Sequence, residues 1–255
     1  MIWHLIKSGS NPGRLNMEID IDLAKSCADN NAYFRLYRWD PYCISLGANQ
    51  LFEDINLKKA ENDGIEVVKR PTGGRAILHA EEITYSVILP LSFGLSPKQI
   101  YSKISQALLK GLAEYNPKLT SAELESIQPN FPDLLKKSSG VLCFASTAKN
   151  EVKFDSKKII GSAQRKLNNV VLQHGSILCG QYHRNLADYL NKGISEINKL
   201  KIELENSTTE ITTILNEPVD YNKLSSSLIN GFRIEFEIEF ADQISEHDVI
   251  NFELN

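Results

Sequence analysis

At 255 residues, 42% of them hydrophobic and 24% charged, the chain is long enough to bury a sizeable core and has the usage of an ordinary globular protein, which excludes a disordered or fibrous one. Its formal net charge of -4 at pH 7 offers no global attraction to nucleic acid or to an anionic membrane surface. No apolar run approaches the roughly 18 residues of a spanning helix, and the opening Met1-Ile2-Trp3-His4-Leu5-Ile6-Lys7-Ser8 is too short for a secretory leader, so a cytoplasmic protein is expected.

In chain order, the turn-prone Ser10-Asn11-Pro12-Gly13 leads into an amphipathic helix predicted over residues 16–28, with Met17, Ile21, Ala24 and Ala28 at helical spacing. Tyr33-Phe34-Arg35-Leu36-Tyr37 and Cys43-Ile44-Ser45-Leu46-Gly47 read as strands separated by Asp40-Pro41, and residues 55–63 as a short helix stopped by Gly64. Further strands are predicted over 66–70, 75–79 and 83–89, the last with Ile83, Tyr85, Val87 and Leu89 on one face. Ser96-Pro97-Lys98-Gln99 is a capping box with proline at the first helical position, and Ile100, Ile104, Leu108 and Leu112 carry a helix to about Tyr115.

Residues 116–140 are polar and hold Pro117, Pro129 and Pro132, which predicts a long loop or a short helical insertion. Strands over 152–154 and 158–165 flank a turn at Asp155-Ser156, and a third over 170–179 completes a meander expected as a second sheet element. From about residue 184 the tail holds 186–190, 211–215, a helix over 221–232 and an alternating strand over 233–240. It is expected as a small α/β subregion appended within a single domain spanning 1–255.

Cys27, Cys43, Cys143 and Cys179 form no CxxC pair, and the five histidines never fall at metal-ligand spacing with them, so neither a disulfide framework nor a metal site is expected. Isolated cysteines in a reducing compartment are ordinarily buried small hydrophobes.

Three segments set glycine and polar residues into strand-like runs. Arg70-Pro71-Thr72-Gly73-Gly74-Arg75-Ala76-Ile77-Leu78-His79 places a glycine pair between two strands, where the backbone can approach a ligand and offer its amides to an anion or a carbonyl. Alone, such a turn is more often structural. Lys157-Lys158-Ile159-Ile160-Gly161-Ser162-Ala163-Gln164-Arg165 fixes a lysine on a strand, where its ammonium can meet a carboxylate, a phosphate or a thioester carbonyl. Gln173-His174-Gly175-Ser176-Ile177 interrupts an apolar strand, and a buried, satisfied histidine is its plain reading.

Together and in this order, the three segments resemble the lipoate and biotin protein ligase family over most of the chain. Asn16-Met17, then Arg35-x-Tyr37-x-Trp39, then Ser45-Leu46-Gly47 with Gln50 a turn later are similar to its N-terminal pattern. The resemblance implies an α+β fold of mixed β-sheets covered by helices, an acyl chain in a tunnel beside the Gly73-Gly74 loop, and Lys158 near the acyl carbonyl. The substrate-binding residues it implies are Arg70, Gly73, Gly74, Arg75, His79, Gly161, Ser162, Ala163, Gln164, His174 and Gly175.

Within that superfamily the chain is similar to the cysteine-dependent octanoyl transferases. These take octanoyl from acyl carrier protein and place it on the lipoyl-accepting lysine of a carrier domain, such as the glycine cleavage H protein or a 2-oxoacid dehydrogenase E2 subunit. Cys143, in Val141-Leu142-Cys143-Phe144-Ala145-Ser146, matches the position of their nucleophile, with Lys158 as the other catalytic residue. A thiolate exchanges one thioester for another and the acceptor amine then forms a more stable amide, so no cofactor is implied. Lys149, Lys153, Lys157 and Lys158 could lower the thiol pKa, and Arg165 and Lys166 could help receive the acidic carrier protein.

The family usually has an acidic residue directly after the motif histidine, whereas His79 is followed by Ala80 and then Glu81-Glu82. Other readings stay open: a lipoate ligase using ATP and Mg with Cys143 inert, an amidotransferase between lipoyl carriers, and an acyl-binding protein without turnover. The ligases commonly carry three consecutive glycines where this chain has Gly73-Gly74-Arg75, and no helix-turn-helix of a biotin-ligase regulator precedes Asn16.

Overall fold

A computed structural model of the chain describes residues 1–125 and 151–244. In chain order these form β1 (Ile2–Asn11), α1 (Gly13–Ser26), β2 (Asn31–Trp39), β3 (Cys43–Leu46), α2 (Leu57–Asn62), β4 (Glu66–Lys69), β5 (Ile77–His79), β6 (Glu82–Pro90) and α3 (Pro97–Tyr115). There follow β7 (Glu123–Leu124), β8 (Val152–Phe154), β9 (Lys157–Leu167), β10 (Val170–Leu178), α4 (Ile194–Ser207), α5 (Ile211–Leu215), α6 (Tyr221–Phe236) and β11 (Phe240–Ile244).

Eight strands make one sheet in the order β11-β1-β2-β6-β10-β9-β8-β7, and β4-β3-β5 make a smaller one. β1 runs parallel to both β2 and β11. The first of these pairings needs a crossover, which α1 supplies. From β2 to β7 the neighbours are antiparallel.

The central strands are buried on both faces. Trp3, Phe34, Leu36, Ile83, Tyr85 and Val87 share a core with Ile104, Leu108 and Leu112 of α3 and Leu228 and Phe232 of α6. Phe34 stacks on Phe232 with ring centroids 3.8 Å apart. On the other face, Ile6, Ile88 and Leu172 meet Ile19, Leu23 and Ala24 of α1. The carboxylate of Glu66, at the start of β4, accepts from the amides of Gly13 and Arg14, so the small sheet is tied to the positive end of α1.

The capping box of α3 forms as predicted, with the Ser96 hydroxyl accepting from the Gln99 amide and the Gln99 side chain accepting from the Ser96 amide. Several other expectations are corrected. The helix predicted over 16–28 runs from Gly13 to Ser26, so Ala28 lies outside it and is exposed. No strand forms over 233–236: α6 continues there because Phe232 and Phe236 extend its buried stripe of Leu224 and Leu228.

The meander β8-β9-β10 is not a second sheet, since β10 pairs with β6 along its whole length and joins the main one. Residues 186–189 fall within a 3-10 turn, Tyr182–Tyr189, and Leu190 follows it in extended conformation. Of the polar stretch after α3, the described residues form a 3-10 turn at Pro117–Ser121 and the short β7. The tail supplies an outer strand and a core helix, while Leu200 and Leu204 of α4 pack over the small sheet. Among the described residues no helix is long and apolar enough to cross a membrane.

Candidate active site

Between α1, the main sheet and the small sheet lies a narrow cleft of about 20 Å³, room for about one water molecule. Met17 lines it from α1, Tyr37 and Trp39 from β2, Ser45 from β3, Ile77 and His79 from β5, and Thr84 from β6. Gly161, Ser162 and Ala163 of β9 and His174, Gly175 and Ser176 of β10 form the opposite wall, with Arg70 at the glycine loop.

Two buried carboxylates organise this space. Asp20, on α1, accepts from Arg35 Nη1 at 2.8 Å, from the Ser86 hydroxyl at 2.8 Å and from the Tyr37 hydroxyl at 3.1 Å. Its Oδ2 also lies 3.2 Å from His174 Nδ1, and His174 Nε2 lies 2.6 Å from the Thr72 hydroxyl. A carboxylate only accepts, so Nδ1 carries the proton and Nε2 receives that of Thr72. Burial raises the Asp20 carboxyl, but the hydrogen bond from His174 and the charge of Arg35 outweigh it and hold the group below its ordinary value. Burial dominates at His174, whose pKa is lowered in spite of Asp20.

Glu82 is the second centre. Its Oε1 accepts from His79 Nδ1 at 2.9 Å, from the Thr84 hydroxyl at 2.5 Å and from the Ser176 hydroxyl at 2.8 Å. Against the effect of burial, the interaction with His79 and the two hydroxyl bonds keep its pKa below the ordinary value. His79 Nε2 meets the Ser45 hydroxyl at 2.7 Å, and Trp39 stacks on the imidazole at 4.0 Å. Glu82 and His79 pair three residues apart because they flank the turn between β5 and β6.

Arg70 organises the glycine loop. Its guanidinium donates to the carbonyls of Ser45, Gly73 and Arg75 and to the Ser45 hydroxyl, a fan that lysine could not reproduce. Gly74 has φ of +93°, and a Cβ on Gly47 would collide with its carbonyl, so the loop lies directly on the end of β3. From outside, Arg165 donates to the Pro71 carbonyl at 2.7 Å.

Of the residues expected from the sequence, Arg70, His79, Gly161, Ser162, Ala163, His174 and Gly175 come together around the cleft. Gly73, Gly74 and Arg75 form the loop beside it. Gln164 instead donates to the Pro97 carbonyl and to Gln173, on the α3 side of the sheet. Lys158, four residues before Ser162 on β9, is buried and pairs with Glu151 at 2.9 Å. Of the other lysines, Lys153 faces Glu123 and Glu125, and Lys157 donates to the Glu205 carbonyl.

Cys143 and Lys149 lie outside the described residues. Burial raises the thiol pKa of Cys43 and Cys179, and that of the half-buried Cys27 to about 11, so these three fit the reading of small hydrophobes.

The sequence reading missed Asp20, Ser45, Glu82, Glu151 and Ser176 as members of the site. A usable signal lay in β6, where Glu82, Thr84 and Ser86 alternate with apolar residues in a strand buried on both faces. Polar side chains on such a face require partners across it.

The family of the lipoyl protein ligase A/B catalytic domain matches residues 12–233. Octanoyltransferase LipM of Clostridioides difficile (strain 630) is 32% identical over 247 residues, covering 94% of this chain and 89% of that protein. Octanoyltransferase LipM of Staphylococcus epidermidis is 32% identical over 248 residues, covering 94% and 88%. Among solved structures, a bi-partite lipoate protein ligase from Thermoplasma acidophilum superposes with a TM-score of 0.75 at 20% identity, covering 97% of this chain and 89% of that one. A lipoate-protein ligase A bound with ATP gives 0.73 at 22% identity, covering 97% and 91%. The two structures bear out the α+β ligase fold. The chain belongs to the lipoate and biotin protein ligase superfamily, in the family of the lipoyl protein ligase A/B catalytic domain, and is of the octanoyltransferase type.

Proposed function

We propose that the protein takes octanoyl from acyl carrier protein as a thioester on Cys143 and passes it to the lipoyl-accepting lysine of a carrier domain. The acceptor would be of the kind found in the glycine cleavage H protein or a 2-oxoacid dehydrogenase E2 subunit. The observation that carries this reading is the similarity to octanoyltransferases along nearly the whole chain. The lining of the cleft supports it, since Met17, Tyr37, Trp39 and Ile77 suit an alkyl chain, whose entry must widen the space.

In this reading the carbonyl end of the chain points toward Ser162, where Glu151 links the cleft wall to Lys158. The Cys143 thiolate adds to the carbonyl, Lys158 faces the developing oxyanion, and collapse releases the carrier's thiolate. The acceptor amine then displaces Cys143 to give the amide. Neither step consumes ATP, so the route needs no cofactor. We place it in the cytoplasm, where free thiols such as those of Cys27, Cys43 and Cys179 persist.

The test is intact-mass measurement of the protein mixed with octanoyl acyl carrier protein without ATP, with a Cys143→Ser control. An octanoyl adduct that maps to Cys143, is absent from the variant and discharges onto a lipoyl carrier domain is expected. Carrier modification that appears only with free octanoate and ATP would replace this reading with that of a ligase.

A further inference from the structure

The Lys158 ammonium and the Glu151 carboxylate meet at 2.9 Å with side chains only 1% and 4% exposed. Taking both charges out of water is unfavourable unless the geometry is held and the remaining lone pairs are used. Both conditions are met. The second Glu151 oxygen accepts from the Ser162 amide at 3.4 Å, and Ser162 belongs to the cleft wall. The backbone of the pair is fixed from two sides: Glu125 donates to the Glu151 carbonyl at 2.8 Å, and Thr209 to the Lys158 carbonyl at 3.0 Å.

The other charged groups packed around this strand have partners of their own. Lys153 faces Glu123 and Glu125, Lys157 bonds the Glu205 carbonyl, and His183 and Arg184 face Glu210 behind Thr208. Among the described residues, Glu151 is the carboxylate that pairs with Lys158.

We propose that Glu151 is a positioning residue for acyl transfer: it holds the Lys158 ammonium in place and aims it along β9 toward the Ser162 end of the cleft. The inference rests on the acyl-transfer reading above. As the Cys143 sulfur bonds to the carbonyl carbon, the electron pair moves onto the carbonyl oxygen beside a charge already in place. When the carbon–sulfur bond to the carrier breaks, the pair returns and the carrier's thiolate leaves, to be protonated by solvent. Lys158 ends as it began, an ammonium, and Glu151 touches neither reactant.

The experiment compares wild type, Glu151→Gln and Glu151→Asp in single-turnover thioester formation with octanoyl acyl carrier protein, across donor concentration. E151Q is expected to lower the limiting rate roughly 10- to 100-fold, as for a misaligned catalytic group, with the half-saturating donor concentration unchanged. E151D, with the charge on a shorter arm, should recover part of the rate.

Trace acetylation read by peptide mapping reports the amine without turnover, and Lys158 should label several-fold more in E151Q than in wild type, relative to the other lysines. A loss confined to donor affinity, no recovery of rate in E151D, or equal labelling overturns the inference. Thioester formation at the same rate in wild type and E151Q overturns it alone, whereas no thioester in wild type overturns the acyl-transfer reading with it.

Discussion

Thr72 and His174 stand 102 positions apart in the chain and 2.6 Å apart in space. The bond joins the glycine loop to a histidine whose other nitrogen is held by the buried Asp20, itself paired with Arg35. The loop beside the cleft is thus anchored, through two side chains, to the middle of the main sheet.

Replacing Thr72 by valine keeps the shape and removes the hydroxyl, leaving His174 Nε2 buried without its donor. The expected loss of stability is about 1–2 kcal/mol, with a several-fold rise in KM for the acyl donor and recovery of both in Thr72→Ser. Thermal unfolding and initial rates check this. A stability loss with KM unchanged would leave the loop a structural element only.

Stability should also fall with acid in a definite window. His183, buried between the Gly180 carbonyl at 3.1 Å and the Thr208 hydroxyl at 3.0 Å, has its pKa lowered by burial from 6.5 to about 4. The folded state therefore resists a proton that the unfolded chain accepts. This contribution is complete above pH 6.5 and is lost as the pH falls toward 4, by about 3 kcal/mol over the window. His174 is shifted in the same direction. Urea unfolding at pH 7 and pH 5 measures the slope, which should be shallower in His183→Gln; an equal slope would show that another group sets it.

The glycines of the site are not equivalent. A Cβ on Gly175 would lie 2.5 Å from the Gly161 carbonyl oxygen, 2.8 Å from the Tyr85 ring and 2.9 Å from the Ser162 hydroxyl, whereas one on Gly73 would meet nothing within 4 Å. Gly175→Ala is expected to be destabilising by about 1–3 kcal/mol through overpacking, and Gly73→Ala to be close to neutral. Chemical denaturation of the two variants side by side decides this, and a neutral Gly175→Ala would mean that β9 and β10 can separate there.

What could be read from the sequence was local. Ser96 and Gln99 lie three residues apart and cap α3 as written, and the hairpin at Asp155-Ser156 is formed with φ of 47° and 65°. The three motif segments could be gathered into one site because most of their residues face one cleft. Asp20 could not be seen as a member: an acid in an amphipathic helix reads as solvent-facing, and its partners Arg35, Ser86 and His174 come from three different strands. β1 escaped for a similar reason. With both faces buried, Trp3 and Leu5 pointing one way and Ile6 the other, it has no polar alternation to announce a strand.

β1 lies between β2 and β11, and Trp3 packs against Phe236 and Phe240. β1 is therefore completed by segments synthesised long after it. Until they arrive, one edge of β1 has unpaired amides and carbonyls, and the indole lacks much of its aromatic surround. Closing so long a loop is slow compared with forming the neighbouring hairpins. Between the synthesis of β1 and that of β11 the sheet has an open margin, the state in which a chaperone or a second nascent copy could pair with it.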